Sequence, residues 1–200
     1  LLTAAPSDGE TVLPLSYTVY DTVSAEDASG RRSFAGRTEI AALNLALLRT
    51  LDSEINFCIS AGIEVYLRLT AETPVPGLTR TDGGAEHYAV RTDTPDARFF
   101  YAAVVRFLCS RYSGIAGLVT GHAVNDGRHT GDTGAVDAAV YARETAELCR
   151  ITYNAASTEI PDILIVLPFG EELKKVYEGM FQDYMKNNSG ASIVDGRNYV

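Results

Sequence analysis

Apolar and polar positions fall into blocks along the chain, separated by glycine, proline and small polar residues. The stretch 12–20 alternates and is rich in Val, Leu and Tyr, which predicts a strand. Residues 21–36 are polar and Gly/Ser-rich, which predicts a long loop. From Thr38 the apolar residues Ile40, Leu43, Leu47, Leu51, Ile55 and Ile59 recur at helical spacing, predicting a helix over 38–60 with Gly62 just past its end. Residues 63–70 predict a second strand, and 71–94, punctuated by Pro74, Pro76, Gly77, Gly83 and Gly84, a second long loop. Thr94 can cap a helix whose first turn suits Pro95, and Phe100, Val104, Phe107 and Leu108 carry it to about Tyr112. Ser113-Gly114 stops it. Residues 115–120 predict a third strand, 121–134 a third polar loop, and 136–157 a third helix. The apolar run 163–167 predicts a fourth strand, buried on both faces. A helix over 171–186 and a short strand over 191–194 complete the pattern.

Strands and helices that alternate imply a parallel sheet joined by crossovers. The links from helix to strand are tight, at Ala61-Gly62 and Ser113-Gly114, while the links from strand to helix are long and polar. In barrels and doubly wound sheets alike the carboxyl ends of the strands carry the site. Residues 21–36, 71–94, 121–134 and 168–172 are therefore its expected source. A doubly wound sheet closes within a chain of this length. A (β/α)8 barrel takes about 250 residues, and four to five units are visible, so a barrel reading implies a partial barrel.

The 200 residues form a single domain on this reading, large enough to bury a core without staples. A net charge of -9 excludes a non-specific nucleic-acid binder, which needs clustered Lys and Arg. No apolar run approaches the roughly 20 residues that span a bilayer, so no membrane partner is expected. The start, Leu1-Leu2-Thr3, shows no signal peptide and no Met, and reads as the middle of a longer protein. Cys58, Cys109 and Cys149 are far apart and sit in apolar helical patterns, which predicts small buried hydrophobes rather than a disulfide or metal framework. No GxGxxG, GxxxxGK[ST] or GxSxG follows a strand, so no nucleotide, other cofactor or serine nucleophile is expected.

One region does carry a likeness. Phe99-Phe100-Tyr101-Ala102-Ala103-Val104-Val105-Arg106-Phe107-Leu108-Cys109-Ser110-Arg111-Tyr112 leads to a strand closing on Gly121-His122-Ala123-Val124-Asn125. This resembles the helix before the fourth strand of retaining (β/α)8-barrel glycoside hydrolases, where the strand closes on Gly-Asn-Glu-Val-Asn. Residues 141–156 and 163–167 are similar to the next helix and strand of that family. The resemblance spans about residues 55–170 and implies a TIM-barrel-like α/β fold, a polysaccharide substrate or ligand, and an extracellular or cell-surface location. It places the family's acid/base Glu on Ala123 and the preceding Asn on His122. A retaining glycosidase needs two carboxyl groups about 5–5.5 Å apart, and a methyl group can neither protonate a leaving oxygen nor attack.

Other carboxylates stand near predicted strand ends: Asp21, Glu72, Asp126 and Glu171. Glu72 and Asp126 are the candidate catalytic pair. Asp21, His122, Asn125 and Glu171 are candidate sugar-hydroxyl ligands, and Tyr88, a tyrosine in a strand-to-helix loop, can stack on a sugar ring. The other tyrosines mostly fall at core-like positions. Solvated loop charges are the competing reading of the carboxylates. His122, Asp126 and His129 share a loop, but their spacing matches no metal signature, and hydrogen-bonding histidines are the preferred reading, with no metal. Two rivals to a glycoside hydrolase stay open: a non-catalytic carbohydrate-binding or scaffold module, and an unrelated doubly wound α/β enzyme.

Overall fold

The computed structural model describes residues 12–20, 25–26, 32–33, 36–71, 75, 77–79, 90–121 and 138–168. Its elements run β1 (Val12–Tyr20), β2 (Ala25–Glu26), β3 (Arg32–Ser33), β4 (Gly36–Asn44), α1 (Leu45–Ser60), β5 (Tyr66–Leu69), α2 (Pro95–Arg111), β6 (Gly117–Thr120), α3 (Ala138–Ala156) and β7 (Leu164–Val166). β1 pairs antiparallel with β4, from Val12 opposite Asn44 to Tyr20 opposite Gly36. Between them β2 and β3 pair antiparallel as well. β5, β6 and β7 form a separate parallel sheet in that order.

This architecture corrects the expected barrel. The described chain holds three helices, two antiparallel strand pairs and one three-stranded parallel sheet, a mixed α/β fold with too few β/α units for a (β/α)8 barrel. The cause lies in residues 36–44. They form a strand rather than the first turns of a helix, so β1 finds its partner next door and makes no crossover to β5. The stretch 21–36 is likewise not a plain loop, since it contains β2, β3 and the start of β4. Helix α1 begins at Leu45, where the buried Asn44 caps it by accepting a hydrogen bond from the Leu47 amide at 3.0 Å. At its other end the Gly62 and Ile63 amides donate to the Ile59 and Cys58 carbonyls, and Gly62 adopts φ 73°, the left-handed conformation that closes such a helix end. The expected start of α2 holds: Thr94 accepts from the Ala97 amide at 3.3 Å and Pro95 opens the helix.

The main core lies between the parallel sheet and the helices. Leu67, Leu118 and Ile165 stand abreast on one sheet face and share one cluster with Tyr101, Val105 and Leu108 of α2, Leu148 and Ala155 of α3 and Ile55 of α1. Leu118 and Val105 are fully buried, each contributing about 2 kcal/mol by removal from water. The opposite sheet face differs from expectation. Leu164 is 55% and Val166 40% exposed, so β7 is buried on one face only, because no described element packs on the other. Tyr66 and Tyr153, expected in core-like positions, are exposed as well, while Tyr101 and Tyr112 are buried. Cys109 is fully buried and its thiol is pushed up to about 11 by desolvation. Cys58 and Cys149 are half-buried, and all three are free thiols. No helix among the described residues is long and apolar enough to cross a membrane.

Candidate functional site

Parallel pairing brings the carboxyl ends of β5, β6 and β7 side by side. Leu69 stands opposite Thr120, and Val119 opposite Val166. The chain leaves β6 through Gly121 at φ 82°, a conformation that a side chain disfavours. The Gly121 amide donates to the Leu69 carbonyl at 3.1 Å, tying the exit of β6 to the end of β5. Gly121 is the first residue of the Gly-His-Ala-Val-Asn string, so its glycine has a local backbone reason to be there.

Beneath this edge lies a buried polar cluster. The Thr152 hydroxyl donates to the Leu148 carbonyl at 2.7 Å, which leaves its oxygen to accept from the Tyr101 hydroxyl at 3.0 Å. Burial pushes the Tyr101 phenol up to about 12, only partly offset by the Thr152 and Thr120 hydroxyls beside it. Thr120 itself is fully buried, and its Oγ1 has no hydrogen-bond partner among the described residues. A buried hydroxyl left in this way is uncommon in a folded protein.

The residues expected to form the site, Asp21, Glu72, Tyr88, His122, Asn125, Asp126 and Glu171, lie outside the described residues, as do Ala123 and His129. What the structure supplies is their point of departure. Leu69, Thr120 and Val166 end adjacent strands, so the segments bearing Glu72, His122 to Asp126, and Glu171 set out from one sheet edge. Asp21 follows β1, which belongs to the antiparallel pair and not to that edge. Among the described residues no three His, Cys, Asp or Glu side chains are grouped to hold a metal ion.

A second feature was not anticipated from the sequence. An open groove of about 730 Å³ runs between β1 and α2. Ser16, Tyr17, Thr18 and Tyr20 form one wall, and Phe99, Ala103, Arg106 and Ser110 the other. The Tyr17 ring stacks on Phe100 with centroids 5.3 Å apart, and Tyr20 meets Phe99 edge-on at 5.6 Å. Arg37 of β4 bridges to Asp96 at the start of α2 and to Glu39 at 2.9 Å. Burial and the Glu39 and Asp96 carboxylates raise the Tyr17 phenol above its ordinary value. At the far end the Asp52 carboxylate of α1 accepts from Arg111 Nε at 2.7 Å, from Arg111 Nη2 at 2.6 Å and from the Tyr112 hydroxyl at 3.0 Å. Arg106 is held more loosely, 3.5 Å from Glu159 and 59% exposed. The sequence signal for this groove was an arginine set among aromatic and small residues on one face of α2.

Comparison with protein-family models, with curated proteins and with solved structures finds no match.

Proposed function

We propose that the protein is a carbohydrate-binding α/β domain whose ligand sits at the carboxyl edge of β5, β6 and β7. One observation carries this reading: three adjacent, in-register parallel strands release from a single edge the segments that hold the candidate residues Glu72, His122, Asn125, Asp126 and Glu171. Parallel sheets place ligands at this edge because the strand ends and the loops they launch converge there. Carboxylates, an amide and an imidazole suit the paired donors and acceptors of sugar hydroxyls. The resemblance of residues 99–125 to glycoside hydrolases supports the same ligand class.

Binding is favoured over hydrolysis by Ala123, which stands where that family carries its acid/base carboxyl. Glu72 and Asp126 then serve as hydrogen-bond acceptors rather than as the acid and nucleophile of a retaining mechanism. The test is a panel of soluble glucans, xylans and aryl glycosides, scored for binding by calorimetry and for release of reducing ends. The expected result is binding without turnover, weakened in Glu72→Gln and Asp126→Asn. Failure of every glycan to bind, or full binding by both variants, would overturn the reading. Turnover by the unaltered chain would replace the binding role with an enzymatic one.

A further inference from the structure

The edge of β1 away from β4 is a second feature with chemistry of its own. Among the described residues β1 is hydrogen-bonded to β4 alone, so one edge of a nine-residue strand has no ladder partner. Pro14 sets the phase of that edge. Proline has no N–H to give to a ladder and is tolerated in strands where its nitrogen faces away from the neighbour. In a strand, N–H and C=O groups two residues apart point the same way. With Pro14 facing outward, the amides and carbonyls of Ser16, Thr18 and Tyr20 face outward too, while Leu15, Tyr17 and Val19 bond to β4. Ser16, Thr18 and Tyr20 all line the groove between β1 and α2. The edge therefore opens onto a channel and not onto bulk solvent.

Natural proteins usually protect such edges by shortening, charging or covering them. Here Pro14 blunts only the start of the edge, and the outward side chains that follow it, Ser16, Thr18 and Tyr20, carry no charge. The opposite wall supplies aromatic surface from Phe99 and a half-exposed cation, Arg106, whose one described partner is Glu159 at 3.5 Å. Arg111, by contrast, is engaged by Asp52 through two short bonds. A ligand in this channel thus meets a row of backbone donors and acceptors on one side and a cation able to take a carboxylate on the other. We propose that the channel binds an extended peptide segment of another protein, which adds as a strand to β1 and presents an Asp or Glu side chain to Arg106. Main-chain bonds to Ser16, Thr18 and Tyr20 supply affinity, and the arginine and aromatic wall supply selectivity.

The experiment selects a displayed library of random ten-residue peptides on the full chain, then measures the enriched peptide by calorimetry and by amide exchange on the 15N-labelled protein. The expected peptide alternates β-branched residues and carries an acidic residue at a fixed position. Its binding slows exchange at Ser16, Thr18 and Tyr20. Arg106→Met weakens it about tenfold, the scale of one charge-assisted hydrogen bond, and methylating alternate peptide nitrogens abolishes it. Ser16→Pro, which removes an outward N–H without touching β4, abolishes it as well. The methylated peptide repeats that test with the protein unaltered. Absence of enrichment, binding that leaves the three amides unprotected, or binding indifferent to Arg106 would overturn the proposal. Protection of the same amides by self-association without peptide would assign the edge to a second copy instead.

Discussion

Thr120 allows a sharp test of the packing beneath the strand ends. Its hydroxyl is fully buried and unpaired among the described residues. An unpaired buried hydroxyl costs about 1–3 kcal/mol. Valine keeps the branched shape, suits a strand, and removes the hydroxyl. Thr120→Val should therefore stabilise the fold by about 1 kcal/mol, raising the melting temperature by about 2–4 °C in a chain of this size. Thr152→Val makes the same chemical change with the opposite consequence. Thr152 accepts from Tyr101, so its loss strands a buried phenol and costs about 2 kcal/mol. Adding Tyr101→Phe to Thr152→Val should recover most of that loss, because removing both partners leaves no orphan.

The assay is urea unfolding of the four proteins, with stability taken from midpoints at constant slope. Opposite signs for the two Thr→Val changes are the required outcome. A Thr120→Val protein destabilised by about 1 kcal/mol or more would show instead that the hydroxyl is satisfied in solution, for instance by an internal water.

The Asp52 carboxylate is held below its ordinary range by hydrogen bonds from Arg111 and Tyr112, with the Arg111 charge adding to them. A depressed folded-state pKa gives stability that is fully present above the unfolded value of about 3.9 and lost as pH falls through the folded value. Asp52→Asn should thus cost about 1 kcal/mol at neutral pH, and the difference from the parent should vanish in acid unfolding curves. At Gly117 a methyl group would meet the Leu164 carbonyl at 2.7 Å and the Tyr66 ring at 2.8 Å. Gly117→Ala should cost about 2 kcal/mol by overpacking. Tyr66→Ala should not rescue it in thermal melts, because the carbonyl remains. Cys109, fully buried with its thiol pushed up to about 11, should resist alkylation at pH 8 while the chain is folded and react at the rate of unfolding, as followed by mass spectrometry.

Most elements of the fold are visible in the hydrophobic pattern. Thr94 and Pro95 mark the start of α2, Gly62 marks the end of α1, and the short apolar runs at 117–120 and 164–166 mark strands. Residues 36–44 are not visible in this way. Ile40, Leu43 and Leu47 have helical spacing, yet Ile40 ends 71% exposed on the outer face of β4, while Glu39 and Arg37 share the inner face with Leu43. The pairing of β4 with β1 decides the state of this stretch against its own period, as strand formation commonly does. The local sign of the true boundary is Asn44, a capping residue three positions before Leu47.

The candidate sites divide along the same line. Residues at the parallel-strand ends can be read from sequence because strand, turn and polar loop follow one another in the chain, and Gly121 marks the exit. The channel between β1 and α2 cannot be read that way. Its walls are some 80 residues apart in sequence, Tyr20 facing Phe99, and its existence depends on β1 pairing with β4 on one edge only. A helix at 38–44 would have removed β4 and with it the described pairing of β1. The residues that overturn the expected barrel also border the channel: Arg37, on the inner face of β4, bridges to Asp96 at the start of α2, beside the stacking of Tyr17 on Phe100 that joins β1 to α2. Arg37→Met should lower stability in urea unfolding by at most about 1 kcal/mol, because the pair is exposed and Arg37 is not part of the buried cluster of Tyr101, Val105 and Leu108.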